Sequence, residues 1–248
     1  MKTSELHKHN VDITFFVPCF NEEGNIENTL NEITEAVNET LLSYEIIVVD
    51  DKSLDSTKEI VKQYILEHSS KNIFLIENEI NLGLGRGYID TSFIASGKYY
   101  MLINGDNAEP KDTILTILSK VGEADMIIPY FGKYDSRSFG RVYASKIFTF
   151  LINIIGGYKI NYYNGPVIHK TFNVMRWSPD THGFAYQAEI IVKVLDEKGT
   201  YEHVMIKNSD RTEGSSKAFT LVNIFSVAHS ILQIFLRRLR TLLFYRKM

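Results

Sequence analysis

Two acidic clusters, each at the end of an apolar run, carry the chemistry this chain could perform. Asp50 and Asp51 follow Tyr44-Glu45-Ile46-Ile47-Val48-Val49, and Asn104-Gly105-Asp106-Asn107 follows Tyr99-Tyr100-Met101-Leu102-Ile103. Such runs read as buried strands, and in an open α/β sheet ligands bind beyond the carboxyl ends of the strands. Carboxylates gathered there repel one another unless donors or cations lie between them. A nucleotide base supplies N–H donors, and a divalent metal carrying phosphates supplies positive charge. The two clusters therefore point to a metal-bound nucleotide. The alternative is that the acids cap the helices that follow.

The elements that must position these residues alternate through the first half. Strands are predicted at Ile13–Val17, Glu45–Val49, Asn72–Ile76, Tyr99–Ile103 and Met126–Pro129. Helices are predicted between them. The first carries the stripe Ile26, Thr29, Leu30, Ile33, Ala36 and Val37. The others span Ser56–Glu67 with Ser53 or Asp55 as N-cap, Tyr88–Ala95, and Pro110–Val121 with proline in its first turn. Alternation of this kind implies parallel strands, right-handed crossovers and an α/β fold. After residue 135 the pattern loosens. A helix is expected over Arg137–Gly157, strand-like character over Asn161–Met175, a helix over Phe184–Leu195 and a short strand over His203–Lys207.

The last segment, Ala218 to Phe244, alternates two faces. Asn223, Ser226, Ser230, Gln233, Arg237 and Arg240 recur every three or four positions, with Phe219, Val222, Phe225, Ile231, Leu232, Phe235, Leu239 and Leu242 between them. That is an amphipathic helix, too often interrupted by polar residues to span a bilayer. Large apolar residues beside arginines suit the plane of a membrane interface. Packing on the chain's own domain or on a partner is the alternative. The simplest division is a catalytic domain over residues 1–217 and a basic amphipathic helix over 218–248.

Composition sets the frame. The chain has 248 residues, 44% of them apolar, enough for one large domain with a sizeable core. Its single cysteine, Cys19, excludes an internal disulfide and suits a reducing compartment. The polar first residues lack the apolar stretch of a signal peptide, and the seven histidines show no spacing suited to zinc. A cytoplasmic protein, peripheral on the inner face of a membrane, is expected. The net charge of −3 is uneven: from Gly214 onward there are six basic residues and no acidic one, which suggests an anionic partner for the tail.

Val17-Pro18-Cys19-Phe20-Asn21-Glu22-Glu23 and Asp50-Asp51-Lys52-Ser53-Leu54-Asp55 together resemble the family 2 glycosyltransferases, with their P-x-x-N-E and D-D-x-S-x-D signatures. Asn81-Leu82-Gly83 with Gly85-Arg86-Gly87 is similar to that family's N-x-G segment. Asn104-Gly105-Asp106 stands at its D-x-D metal motif. Tyr162-Tyr163-Asn164-Gly165, Phe184–Glu189 and Arg211–Lys217 extend the likeness towards the branch of dolichyl-phosphate mannose synthase and bacterial polyprenyl-phosphate sugar transferases.

The resemblance implies a GT-A-type fold and transfer of a hexose from a nucleoside-diphosphate sugar to a polyprenyl phosphate. It implies that Pro18, Asn21, Glu22, Asn81 and Gly83 line the nucleotide crevice, and that Asp50 or Asp51 holds the base or ribose. Asp106 would ligate Mg²⁺ or Mn²⁺ on the donor phosphates. Asn104, where the family has aspartate, is a weaker ligand for a hard cation. Arg211 and Lys217 would reach phosphate oxygens, or are solvated loop charges. Glu189 is a base, an orienter of a basic side chain, or a buried paired glutamate. Three other functions compete: transfer to a saccharide hydroxyl, nucleotidyl transfer, and a non-catalytic scaffold on a membrane. The acidic Pro18–Glu23 loop argues against nucleotidyl transfer, which calls for a basic, glycine-rich loop there. A membrane-protein partner or a homo-oligomer is a further expectation; a nucleic-acid partner is not.

Overall fold

The structure is a computed structural model that describes residues 9–132, 135, 138–179, 185–207 and 221–244. Its centre is a seven-stranded sheet of β1 (Val11–Cys19), β2 (Tyr44–Asp50), β3 (Ile73–Glu77), β4 (Gly97–Leu102), β5 (Met126–Tyr130), β6 (Ile168–Lys170) and β7 (Tyr201–Met205). The order is β3-β2-β1-β4-β6-β5-β7. All pairings are parallel except those of β6, which runs antiparallel to both β4 and β5. The expected α/β fold with a mostly parallel sheet is the fold observed.

Alternation along β1 sorts the core into two halves. Ile13, Phe15 and Val17 face one side, against α1 (Ile26–Asn38), α2 (Thr57–Glu67) and α4 (Lys111–Leu118). Phe16 faces the other, with Tyr88 of α3 (Leu84–Ser92), Phe148 of α5 (Phe139–Gly156), Val174 of α6 (Thr171–Arg176) and Tyr186 of α7 (Tyr186–Asp196). The last helix, α8 (Leu221–Phe244), adds Ile234 to this second half and packs on α5 and α7. At the amino edge a buried polar knot ties three strands. Thr14 Oγ1 donates to Glu45 Oε1 (2.6 Å) and accepts from Gly97 N (2.9 Å). A Cβ on Gly97 would lie 2.4 Å from Thr14 N, so only glycine lets β4 start there.

Some expected boundaries move, each for a local reason. The predicted strand over Asn161–Met175 shrinks to β6, followed at once by α6. The coil before it is held instead by Asn153 of α5, which exchanges hydrogen bonds with Ile160 N and O and accepts from Tyr163 Oη. Helix α3 starts at Leu84, earlier than the predicted Tyr88, because Gly83 turns the chain with φ +83°. The glycines of Gly85-Arg86-Gly87 therefore lie inside a helix, where Gly87 lets Phe16 approach: a Cβ would meet that ring at 3.3 Å. Ser56 is the N-cap residue of α2 but makes no side-chain cap bond. Asp55 Oδ1 accepts from Thr57 N instead (3.0 Å), while Ser53 serves a different loop.

His169 sits opposite Tyr100 and Met126 on β6, fully buried, with neither ring nitrogen hydrogen-bonded among the described residues. Burial pushes its pKa down to about 3. An unfolded chain takes up a proton near pH ~6.5 that the native protein refuses. Its contribution is therefore fully present above that pH and is lost as the pH falls towards about 3. His169→Leu is expected to flatten the decline in urea-unfolding free energy between about pH 6 and 4. A decline as steep as in the parent would show that other groups carry it.

Candidate functional site

The carboxyl ends of β2, β1 and β4 lie side by side, and the loops leaving them are bound to one another. The β1–α1 loop and the β2–α2 loop are joined by reciprocal hydrogen bonds. Asn21 N donates to Ser53 Oγ (2.9 Å) while Asn21 Oδ1 accepts from Leu54 N (2.8 Å). Glu22 N donates to Thr57 Oγ1 (2.8 Å). Glu23 N donates to Asp55 Oδ2 (3.1 Å), and Glu23 Oε2 accepts from Ser56 N (3.0 Å). Asp51 N donates to Cys19 O (2.9 Å). Asn21 holds a left-handed φ of 58°, a conformation asparagine tolerates better than most residues.

The two adjacent aspartates play different parts. Asp51 accepts from Leu82 N (2.8 Å), Gly83 N (2.8 Å) and Asn78 Nδ2 (2.9 Å), and its carbonyl accepts from Asn81 Nδ2 (3.1 Å). Both its oxygens are thus engaged in shaping the loop that leads into α3. Asp50 ends β2 almost fully buried. Its Oδ2 accepts from Ser53 N (3.2 Å), and its Oδ1 is buried with no hydrogen-bond partner among the described residues. A buried orphan carboxylate oxygen is costly, so it marks a place for a ligand donor.

The Asn104-Gly105-Asp106 turn is pressed against the same edge. Gly105 N donates to Pro18 O (3.1 Å), and a Cβ on Gly105 would lie 3.0 Å from that oxygen and 3.1 Å from Cys19 Cβ. Thr29 of α1 donates to Gly105 O (3.1 Å) and accepts from Asn107 N (3.0 Å). Asn104 and Asp106 flank Gly105, both half-buried. Burial pushes the Cys19 thiol far above its ordinary range, and the charges of Asp50, Glu22, Asp55 and Asp51 push it the same way. Burial alone would raise Asp55, but hydrogen bonds from Thr57 and Glu23 hold it below the usual carboxylate range.

The donor set suits one kind of metal. No group of three or more His, Cys, Asp or Glu side chains that could hold an ion occurs among the described residues. One carboxylate and one amide on a single turn match Mg²⁺ or Mn²⁺ that arrives with substrate phosphates and keeps its waters. They do not match an ion caged by protein alone.

Glu189 lies elsewhere. It is buried in the first turn of α7 and lines a cavity between α7 and α8 with Lys193, Arg237 and Arg240. Arg211 and Lys217 fall outside the described residues. Sequence reasoning missed Thr29 and Asn78, which hold the Asn104-Gly105-Asp106 turn and the Asp51 loop. Thr29 left a signal, as the one polar residue in the buried stripe of α1.

Residues 14–184 match the family model described as glycosyl transferase family 2. The chain belongs to this family. Among its relatives, the dolichyl-phosphate beta-glucosyltransferase of Dictyostelium discoideum is 33% identical over 47% of this chain and 38% of its own length. The undecaprenyl-phosphate 4-deoxy-4-formamido-L-arabinose transferase of Shewanella sediminis is 21% identical over 91% of this chain and 67% of its own. The chain spans less than half the length of the first relatives it matches. Among solved structures, glucosyl-3-phosphoglycerate synthase from Mycobacterium tuberculosis with Mn²⁺ and UDP-glucose superposes with a TM-score of 0.65. It is 17% identical over 95% of this chain and 81% of its own. That likeness establishes a GT-A glycosyltransferase fold, and the motifs of family 2 fall on the loops just described.

In this family member the Asp51 carboxylate is a loop organiser by geometry. Asp51→Asn replaces an acceptor of two backbone N–H groups with an amide that can accept through one atom only. Amide exchange at Leu82 and Gly83 is expected to speed up by about tenfold or more, the equivalent of losing one charge-assisted bond. Unchanged exchange at both amides would show that the loop is held without it.

Proposed function

We propose that this chain transfers a hexose from a nucleoside-diphosphate sugar to a polyprenyl phosphate at a membrane surface. The observation that carries the donor half is the orphan Asp50 Oδ1 beside the Asn104-Gly105-Asp106 turn at one sheet edge. Asp50 accepts an N–H or O–H of the nucleoside. Pro18 and Asn21 keep the crevice in shape through their backbone and loop contacts, and Glu22, Asn81 and Gly83 frame its sides. A divalent ion on the donor phosphates, Mg²⁺ or Mn²⁺, takes Asp106 and Asn104 as protein ligands and lends its charge to the departing diphosphate. The acceptor phosphate is already an anion, so alignment matters more than a general base. Arg211 and Lys217 are assigned to phosphate oxygens of donor or acceptor. Relatives named for dolichyl and undecaprenyl phosphates support the acceptor class.

Helices α5 and α8 support attachment to the bilayer. Neither contains an acidic residue. Phe139, Phe150 and Ile154 of α5 and Phe225, Leu232, Phe235, Leu239 and Leu243 of α8 are exposed. No described helix is long and apolar enough to cross a membrane, so the reading is a helix pair lying in the interface, on the anionic cytoplasmic face. Two arginines expected at the headgroups are otherwise engaged. Arg238 binds Asp196 and Gly156 O and lies over the Tyr158 ring, and Arg237 pairs with Asp196 at 3.2 Å. Helix α8 thus packs on the body along one face, and the expected boundary at 218 lies outside the described residues.

Membranes carrying the full chain, incubated with a panel of radiolabelled nucleotide sugars, are expected to yield a label that partitions into organic solvent. Asp106→Ala should lower that yield about 100-fold or more, the scale of losing electrostatic support for a leaving group. Asp50→Asn should raise donor KM about tenfold with a smaller fall in kcat. A label that stays water-soluble on a glycan would move the acceptor to a saccharide hydroxyl.

Deleting α8 would uncover the core around Ile234, so attachment is better tested on its outer face. The triple variant Phe235→Ser, Leu239→Ser, Leu243→Ser is expected to stop the protein floating with anionic vesicles while donor binding persists. Full flotation of this variant would make the exposed face of α8 irrelevant to the membrane.

A further inference from the structure

The carboxyl edge of the sheet continues past the Asn104-Gly105-Asp106 turn. Strand β6 lies between β4 and β5 and runs against both, so its amino end emerges at this edge. Met101 pairs with Ile168. The chain leaving β4 towards Asn104 and the chain entering β6 from Asn164-Gly165 therefore come out side by side. Gly165 is fixed there: a Cβ on it would lie 3.2 Å from Pro129 O of β5 and 3.3 Å from the Tyr162 ring. Tyr162 in turn packs on Phe131, just past β5, with ring centroids 5.3 Å apart. Along the edge the order is thus Asp50, the β1–α1 loop, the Asp106 turn and the Asn164-Gly165 turn.

Between α5 and β6 the chain forms no helix or strand, yet it is firmly held. Asn153 of α5 does most of this. Its carbonyl accepts from Gly157 N (2.8 Å) and Tyr158 N (3.2 Å). Its Nδ2 donates to Ile160 O (2.8 Å), and its Oδ1 accepts from Ile160 N (3.0 Å) and Tyr163 Oη (2.9 Å). One residue thus holds the chain from Gly157 to Tyr163. Tyr163 is fully buried and meets Phe148 of α5 edge to face. From the other side, Asn161 N donates to His203 Nε2 of β7 (3.3 Å). The turn at Asn164 is therefore set before any ligand arrives, as positioning for transfer requires.

The place of the turn decides its ligand. In the proposed transfer the nucleoside lies at Asp50 and its diphosphate at Asp106. The hexose extends from the diphosphate away from the nucleoside, and along this edge that direction leads to Asn164-Gly165. Asn164 is exposed at the turn. A carboxamide both donates and accepts, as sugar hydroxyls do, whereas an ionised phosphate oxygen only accepts. We propose that the Asn164-Gly165 turn is the hexose-facing wall of the donor site, with Asn164 a specificity-determining residue and Asn153 the positioning residue that acts through it. This rests on the nucleotide-sugar reading above and adds to it the element that reads the sugar.

The test uses the full chain with Mn²⁺ and a polyprenyl phosphate. The donors are UDP-glucose, UDP-galactose, GDP-mannose and GDP-glucose, two pairs that each differ at one hydroxyl. Inhibition by UDP and GDP is followed alongside. For the donor that gives lipid product, Asn164→Ala is expected to lower kcat/KM about tenfold or more, while the inhibition constant of its nucleoside diphosphate changes less than about twofold. The same variant should narrow the kcat/KM ratio within the pair, because a lost hydroxyl partner costs the preferred sugar most. Asn153→Ala should show the same split between rate and inhibition. Tyr163→Phe should cost less than Asn153→Ala and add little to it, since the hydroxyl acts through the Asn153 amide. Asn164 is exposed, so its substitution keeps the test decisive even where Asn153→Ala fails to fold. Undiminished kcat/KM and pair ratio in Asn164→Ala would overturn the hexose wall. So would an inhibition constant that rises in step with the lost rate, which would make the turn a support for the whole crevice. No lipid product from any donor in the parent would bring down the transfer reading and this inference with it, whereas product formation indifferent to Asn164 would sink the wall alone.

Discussion

The hydrogen bonds between the β1–α1 and β2–α2 loops are the constraint on which the rest of the site depends. Both loops leave adjacent parallel strands, where the ladder has ended and backbone groups need new partners. Asn21, Glu23, Ser53, Asp55 and Thr57 supply them across the gap. This has two effects. The turn at Asn21 is held at its left-handed φ, and Asp50 is kept at the end of β2 with one oxygen satisfied and the other not. Several of the acids in these motifs are thereby engaged by backbone N–H groups, so a crevice of many carboxylates presents few open acceptors.

A second constraint fixes the Asn104-Gly105-Asp106 turn to this frame. Gly105 lies so close to Pro18 O and Cys19 that a side chain there would force β4 away from β1. Thr29 then ties the turn to α1 from the other side. The position between Asn104 and Asp106 is therefore set by backbone proximity. With Asn104 in place of a second carboxylate, the turn carries a single negative charge. In the proposed reaction, most of the charge of a divalent ion held there would have to be matched by the donor phosphates, which would tie metal retention to donor binding.

The fold was legible because its signals were local. Each strand of the first half was a continuous apolar run, and the stripe of α1 named its buried residues one by one. The failures lie where tertiary contacts replace local pattern. Tyr163 and Val167 are buried and lie in the stretch read as strand-like, but Asn153 of α5 provides hydrogen bonds a neighbouring strand would have given. The site was legible as a set of motifs and not as a division of labour. Nothing in Asp50-Asp51 says which carboxylate the Leu82 and Gly83 amides will occupy, because that bond spans the whole of α2 and β3. Glu189 shows the same limit: its helix was expected, but its place beside Arg237 depends on α8 folding back over α7.

Helix α8 carries two demands on one amphipathic pattern, and its arginines show how they are reconciled. A helix that only lay on a bilayer would turn every arginine to the headgroups. Here Ile234 and Ser230 are buried in the protein, and the Asp196 carboxylate collects Arg237 and Arg238. Those two charges hold the helix to the body, so they add little to attraction from an anionic surface, where a free basic residue contributes about 1 kcal/mol. Counting basic residues therefore overstates the electrostatic attachment of this segment. In the proposed attachment the balance shifts to the exposed Leu232, Phe235, Leu239 and Leu243, whose burial in acyl chains would be insensitive to salt. Attachment of this kind would weaken less with ionic strength than the composition of the tail suggests.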